Sequence, residues 1–509
     1  MNRRAFAILV GCTLALVACD DDDGLLIPQQ RHVTIDSLLD GDFAVTRNAS
    51  GLTPLVAEVT FQSRVPVNVT TEVLGSEPLR HEMPGVGTVH KIPILGLYPD
   101  RENRVEIRLS DTELTFAVDT VVIPTDTLPS FFPTVEVTAA DRSRMEGGWT
   151  LSSLAIGTGG GFHSWPMMFD SNGDIRWYMD LSFLDGFVFV VKRAANGNLI
   201  FAHDFVVYEY DMLGRQFRRW DIPGFDAHHE LVEKPDGSFL VAVDVVGRGT
   251  VGDHIIEVDR VSGAIVNEWD FREILDVYRR TFVDRGGDWF HMNAIFYSEA
   301  DDALIVSGRN QSAIVKVTNN NELIWILGPH SGWGLAGVDA DGHDTSEFLL
   351  TAVDADGVPY PDSVQQGYED APDFRWPWGQ HAAMILPNGN LFLFDNGFTR
   401  NFDEDAAPFS RGVEYEIDES AMTVRQVWQY GEERGPDYYS PIISDVDFLP
   451  STGNRLIMPG IVNQPGPSAF VTEVSYPGKE VIFEAIIKKL GGPGVFSVYR
   501  SERLPIYFR

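Results

Sequence analysis

Three histidines carry the chemical interest of this sequence. His229 lies six residues before Pro235 of a Pro-Asp-Gly turn, and His381 lies six before Pro387 of a Pro-Asn-Gly turn. His291 takes the same place in "HMNAIFYSEADDALIV", whose turn carries a small insertion. Each stands at the head of an apolar β-hairpin, where a core-facing strand would favour an apolar residue. Arg309, in "SGRNQSAI", follows the second strand of the His291 hairpin. Two antiparallel strands return the chain to its starting end, so Arg309 belongs to the same face. Asn293, two residues past His291, points to the same side of its strand. His228 precedes His229; spacing leaves open which of the two faces inward, and the register favours His229. An arginine fork among imidazoles suits a tetrahedral oxyanion. Apart from Glu230, no carboxylate falls in these slots, which argues against a glycosidase pair. Three histidines can also hold zinc, although an arginine is an unnatural neighbour for a dication.

The elements that position these residues repeat. An apolar strand ending in a polar turn, then a strand ending at tryptophan, recurs to Trp177, Trp220, Trp269, Trp325 and Trp428, with Phe483 in a sixth slot. Hairpins lie between them, two of which place Phe189 and Ser444 where the others place histidine. Units of about four strands in tandem predict a six-bladed β-propeller over residues 145–509. The repeated tryptophans then read as blade packing, and "GVFSVYRSERLPIYF" at the chain end would close the ring. The first strand of a propeller blade lines the axial channel, so three consecutive blades should bring their histidines to one mouth. Residues 31–135 alternate with period two in short strands and predict a small N-terminal β-sandwich. The whole is thus all-β.

Three stretches depart from the repeat. "FREILDVYRR" places Phe271, Ile274, Leu275 and Tyr278 at helical spacing and reads as a surface helix. Residues Gly328 to Pro377 form a long insertion of the kind that covers sites. "GTGGGFHSW", with His163, reads as a loop, since a phosphate cradle would want a following helix. The two "VDADG" copies lack the glutamate of a calcium loop and read as turns.

The first residues read as a targeting segment. "MNRR" is basic, "AFAILVGCTLALV" is apolar but too short to span stably, and "LVAC" ends it. Residues 1–18 are therefore expected to be a lipoprotein signal peptide, Cys19 the lipidated residue and 19–30 an acidic tether. The product would be an exported lipoprotein of the periplasm or cell envelope. Only Cys12 and Cys19 are present, which excludes a disulfide in the exported body and any thiolate cofactor chemistry. The net charge of −35, made two units more negative by removing Arg3 and Arg4, argues against nucleic acid.

Taken together, "HHEL", "DWFHMNAI" with "SGRNQSAIVKV", "WPWGQHAAMILPNGN" and "SVYRSERLP" resemble the bacterial arylsulfate sulfotransferases over nearly the whole chain. The resemblance implies an enzyme that moves a sulfuryl group from a phenyl sulfate ester to another phenol by ping-pong kinetics, without a nucleotide donor or other cofactor. It makes His381 the nucleophile that becomes sulfated and sets His229, His291 and Arg309 around the sulfuryl oxygens. Asn293, Tyr499 and His228 join as substrate-binding residues. Trp376, Trp378, Phe290 and Trp289 flank the motifs, either to bind aryl rings or to pack the rim. The disulfide found near the site in some such enzymes has no counterpart here. The expected partners are aryl sulfates and phenols, with a homodimer left open and the membrane met only through the lipid anchor. Two other readings stay open: a metal-dependent ester hydrolase using the three histidines as ligands, and a non-catalytic propeller lipoprotein.

Overall fold

The computed structural model describes residues 30–111, 115–158, 161–281, 286–403, 405–463, 466–490 and 495–508. Residues 1–29, with the expected signal peptide, Cys19 and the run Asp20 to Asp23, lie outside them. Among the described residues no helix is long and apolar enough to cross a membrane.

Period-two alternation builds the N-terminal domain around one long strand, Ala57–Val73. Its first half pairs with Leu39–Arg47 and Gly87–Ile94, and its second half with Leu79–Glu82 and Glu102–Ser110. Alternate residues Val59, Phe61, Val67, Val69 and Val73 enter the core between the two resulting sheets. The domain is an Ig-like sandwich. It is stitched to the larger domain by buried Arg176, which donates to the carbonyls of Gly96 and Glu77 and to Asp170.

Six antiparallel sheets form the six-bladed propeller. From inner to outer strand, blade two runs Val191–Arg193 to Gln216–Asp221, blade three Phe225–Glu233 to Ile265–Asp270, and blade four Met292–Ser298 to Leu323–Leu327. Blade five runs His381–Ile385 to Thr423–Tyr430, and blade six Asp445–Phe448 to Val481–Lys488. The chain end closes the ring as a single strand, not a hairpin: Phe496–Leu504 is the inner strand of blade one, paired with Trp149–Thr158. Blade six gains Thr134–Ala140 on its outer edge, so a stretch that follows the sandwich is already part of the propeller.

The tryptophans do more than fill space. Each indole N–H donates to the outer turn of the following blade: Trp177 to Met212, Trp220 to Arg260, Trp269 to Thr318, Trp325 to the Glu419 carboxylate and Trp428 to Pro477. Phe483, which has no N–H, stands at the seam where blade six meets blade one, and Arg503 lies over its ring.

The structure corrects one sequence expectation and locates part of another element. The stretch from Phe271 is helical for one turn only, Phe271–Ile274, capped by Asp270. It is only partly a surface element: Phe271, Ile274 and Leu275 are buried while Tyr278 is exposed, and buried Arg279 donates to the carbonyls of Gln311, Pro329 and Ser331. Apolar spacing was right about burial at three of its four positions and wrong about conformation, because tertiary contacts replace the helical bonds past Leu275. Part of the long insertion builds a blade. Its strand Thr351–Ala352 adds to the outer edge of blade five, parallel to Thr423–Tyr430. At Asp354 the "VDADG" segment is a turn, the carboxylate accepting from the N–H groups of Asp356 and Val358.

Candidate active site

One residue from the inner strand of each blade, or just before it, occupies the shared slot, and ring contacts join those of blades one to five. In blade order these are Tyr499, Phe189, His229, His291, His381 and Ser444. The inner strands are locally irregular here: pairing slips between Ala227 and Leu231, Met292 and Ala294, His381 and Met384, and Val498 and Ser501. His229, His291, Ala382 and Ser444 have positive φ. Such bulges re-aim side chains that regular pleating would turn into the wall, and held strain of this kind gathers at functional sites.

His381 is held most tightly. Its Nδ1 lies 2.7 Å from Asn396 Oδ1, while the Asn396 amide donates to the carbonyls of Ser440 and Ile443. Both amide hydrogens are spent on carbonyls, so the oxygen must face the imidazole and Nδ1 must carry the proton. Nε2 then holds a free lone pair, and it makes no hydrogen bond among the described residues. Asn396 itself is steadied by its neighbour Asp395, which accepts from Arg400, Arg411 and the Trp378 and Gly397 N–H groups.

His291 and His229 form a second unit. Their Nε2 atoms are 2.9 Å apart, and His291 Nδ1 is 2.8 Å from Asp288 Oδ1. A proton can thus be held along Asp288, His291 and His229. The turn bearing Asp288 is clamped by the one bearing Arg309. The Arg309 and Asn310 N–H groups donate to the His291 and Phe290 carbonyls, and the Asn310 and Gln311 side chains to those of Asp288 and Trp289. Gly308 permits this approach, since a Cβ there would sit 2.2 Å from the Phe290 ring. Arg309 is buried, with its guanidinium 5.1 Å from the Phe398 ring centroid and close enough to depress the His381 pKa.

The remaining sequence candidates fall as follows. His228 and His229 both face the cluster, with ring centroids 3.8 Å apart. Tyr499 is fully buried, its ring stacked 5.5 Å from His229 and edge-on 6.5 Å from His381, with a hydroxyl that has no partner among the described residues. Asn293 donates to the Gln380 carbonyl and so fixes the residue before His381. Trp289, Phe290, Trp376 and Trp378 are buried in the blade cores and do not line the site. The aromatic approach is made instead by Phe162, Phe187 and Phe189, with centroids 5.2 and 4.6 Å apart in succession and Phe189 5.6 Å from Tyr499. Below, Arg500 bridges Glu230 and Asp445 and floors the site with a buried ion-pair network.

Four participants were missed in the sequence, Phe162 and Phe187 among them. Asn396 directly follows the second strand of blade five, the slot Arg309 holds in blade four, so the register that found one pointed to the other. Asp288 stands three residues before His291, outside the aligned slots, and adds a carboxylate that the slots did not contain. The set of histidine nitrogens that converge within 4.8 Å belongs to His228, His229 and His291; His381 is outside it.

Burial above all keeps His381, His229 and His228 neutral. Burial, followed by Arg309, holds the His381 pKa well below the usual histidine range, despite its bond to Asn396. Burial, then His228 and His291, does the same to His229, and burial with His291 lowers His228 to about 3. A base whose folded pKa is depressed contributes stability that is full above its unfolded pKa and falls as pH drops through it. Below about pH 6.5 each such histidine should cost up to about 1.4 kcal/mol per pH unit. Thermal melts from pH 7.5 to 5.5 should therefore show a shallower acid decline for His381→Ala than for the unaltered chain; equal slopes would contradict a neutral, buried His381.

Residues 134–496 match the family model described as arylsulfotransferase (ASST), and residues 44–127 that of the arylsulfotransferase Ig-like domain. The arylsulfate sulfotransferase AssT of Escherichia coli O6:H1 strain CFT073 is 32% identical over 378 residues, covering 62% of this chain and 61% of that protein. AssT of Lelliottia amnigena is similar to the same extent. The match thus spans about three fifths of each relative's length. A solved periplasmic gluconolactonase from Pseudomonas aeruginosa covers 86% of this chain at 10% identity and a TM-score of 0.33, too remote to inform the site.

Proposed function

Since the chain belongs to the arylsulfotransferase family, we propose that it transfers a sulfuryl group from an aryl sulfate ester to a phenol, with His381 as the nucleophile. The observation that carries this reading is the pairing of His381 Nδ1 with Asn396, which leaves the Nε2 lone pair unengaged beside Arg309. In the first half-reaction Nε2 attacks sulfur, the sulfur–oxygen bond to the aryl group breaks, and its electron pair leaves on the phenolate. Arg309 and the Tyr499 hydroxyl hold the sulfuryl oxygens while charge redistributes, an oxyanion-type stabilisation. The Asp288–His291–His229 unit supplies a proton to the leaving phenolate and takes one from the incoming phenol. Phe162, Phe187 and Phe189 receive the aryl ring.

The partner of Nδ1 matters for turnover. Asn396 is a neutral acceptor and cannot remove the Nδ1 proton, so the N-sulfonated ring stays cationic and leaves readily when the phenol attacks. The second attack breaks the nitrogen–sulfur bond and restores neutral His381, which gives ping-pong kinetics. Exported chain anchored through Cys19 would perform this outside the cytoplasm, without any nucleotide donor. The test is release of 4-nitrophenol from its sulfate ester with and without an added phenol. Phenol-dependent release with parallel double-reciprocal lines is expected. Release that phenol does not stimulate would reject transfer, and no release at all would reject the enzymatic reading.

A further inference from the structure

We propose that His228, His229 and His291 form a binding site for one divalent transition ion of the zinc class, and that the bound ion shuts the sulfuryl-transfer site. One nitrogen from each of the three lies within 4.8 Å of the others. The His229 and His291 Nε2 atoms, 2.9 Å apart, need to separate only slightly to reach the roughly 3.3 Å that two ligands on one tetrahedral zinc adopt at metal–nitrogen distances of about 2.0–2.1 Å. His291 already has the outer support common to metal-binding imidazoles, a carboxylate on its other nitrogen, Asp288 Oδ1 at 2.8 Å. Nδ1 of His228 and Nδ1 of His229 are buried without a hydrogen-bond partner among the described residues. His229 can therefore carry its proton on Nδ1 while Nε2 gives its lone pair to the ion. Three neutral imidazoles favour zinc, copper, nickel or cobalt over magnesium or calcium, which prefer oxygen. The fourth position would open toward the pocket.

Binding stands on this geometry alone; closure of the site rests on the transfer reading, because the ion takes the two nitrogens that would handle the phenol's proton. The probes are Zn2+ and Co2+, titrated into the untagged chain after chelator treatment. One equivalent should bind, with visible Co2+ absorption of a tetrahedral or five-coordinate site. Asp288→Asn should weaken binding about 10- to 100-fold, the usual effect of losing an outer-shell partner, and His228→Ala by more. His381→Ala should bind the ion undiminished while failing in transfer, which separates this proposal from the previous one. Melting temperatures of the variants check that each is folded. Absence of stoichiometric binding, or binding that His228→Ala leaves intact, overturns the site. In the unaltered chain Zn2+ should suppress 4-nitrophenyl sulfate turnover and a chelator restore it; turnover that rises with Zn2+ overturns the closure.

Discussion

His381→Ala should leave a folded protein whose turnover of 4-nitrophenyl sulfate is lower by about 10^4-fold or more, the scale on which removing a covalent nucleophile acts. The size of the loss follows from the lack of a substitute. His229 and His291 point their Nε2 atoms at each other, and His291 spends its other nitrogen on Asp288. His381 alone among them has its Nδ1 fixed by a neutral amide and its Nε2 unengaged. Residual activity from positioning by Arg309 and Tyr499 would be simple hydrolysis, without stimulation by phenol. If phenol-stimulated turnover fell less than about tenfold, another group would have to be the acceptor of the sulfuryl unit, and the roles assigned above would not stand.

Asn396→Leu should lower kcat by about 10^2- to 10^4-fold with little change in KM. The upper figure is what a wrong imidazole tautomer costs in hydrolases that orient histidine the same way. Without the amide oxygen nothing holds the proton on Nδ1, and the ring can present N–H to sulfur instead of a lone pair. The aryl and sulfuryl contacts lie elsewhere, so binding should persist. The Ser440 and Ile443 carbonyls also lose their donor, at about 1–3 kcal/mol of stability for buried groups left unsatisfied. A melting curve therefore accompanies the kinetics. A large rise in KM with kcat preserved would mean that Asn396 shapes the pocket and does not set the tautomer.

The fold and half of the site could be read before any coordinates because both are periodic. The tandem four-stranded units, the tryptophan slot and the six-residue spacing to each turn recur, and recurrence transfers a position from one blade to the next. His229, His291, His381, Phe189 and Ser444 share one slot for that reason, and Tyr499 completes it from the closing strand. What escaped is what periodicity does not encode. The 2.9 Å approach of two imidazoles depends on bulges with positive φ, which no spacing reveals. Asp288 sits in an irregular turn whose position is fixed by contacts with Asn310 and Gln311. The tryptophans beside the histidine motifs looked suited to aryl groups, but an indole beside a site in sequence can turn into the neighbouring core, as Trp376 does to reach the Val364 carbonyl. Local apolar spacing misled again at Phe271–Tyr278, where long-range bonds from Arg279 decide the backbone path.

The most direct measurement is mass spectrometry of the intact chain and its peptides after mixing with an aryl sulfate while no phenol is present. One sulfuryl group should appear on the peptide that contains His381, vanish on addition of a phenol, and fail to form in His381→Ala. An adduct on another residue, or full turnover through a protein that never becomes labelled, would contradict a covalent route through this imidazole.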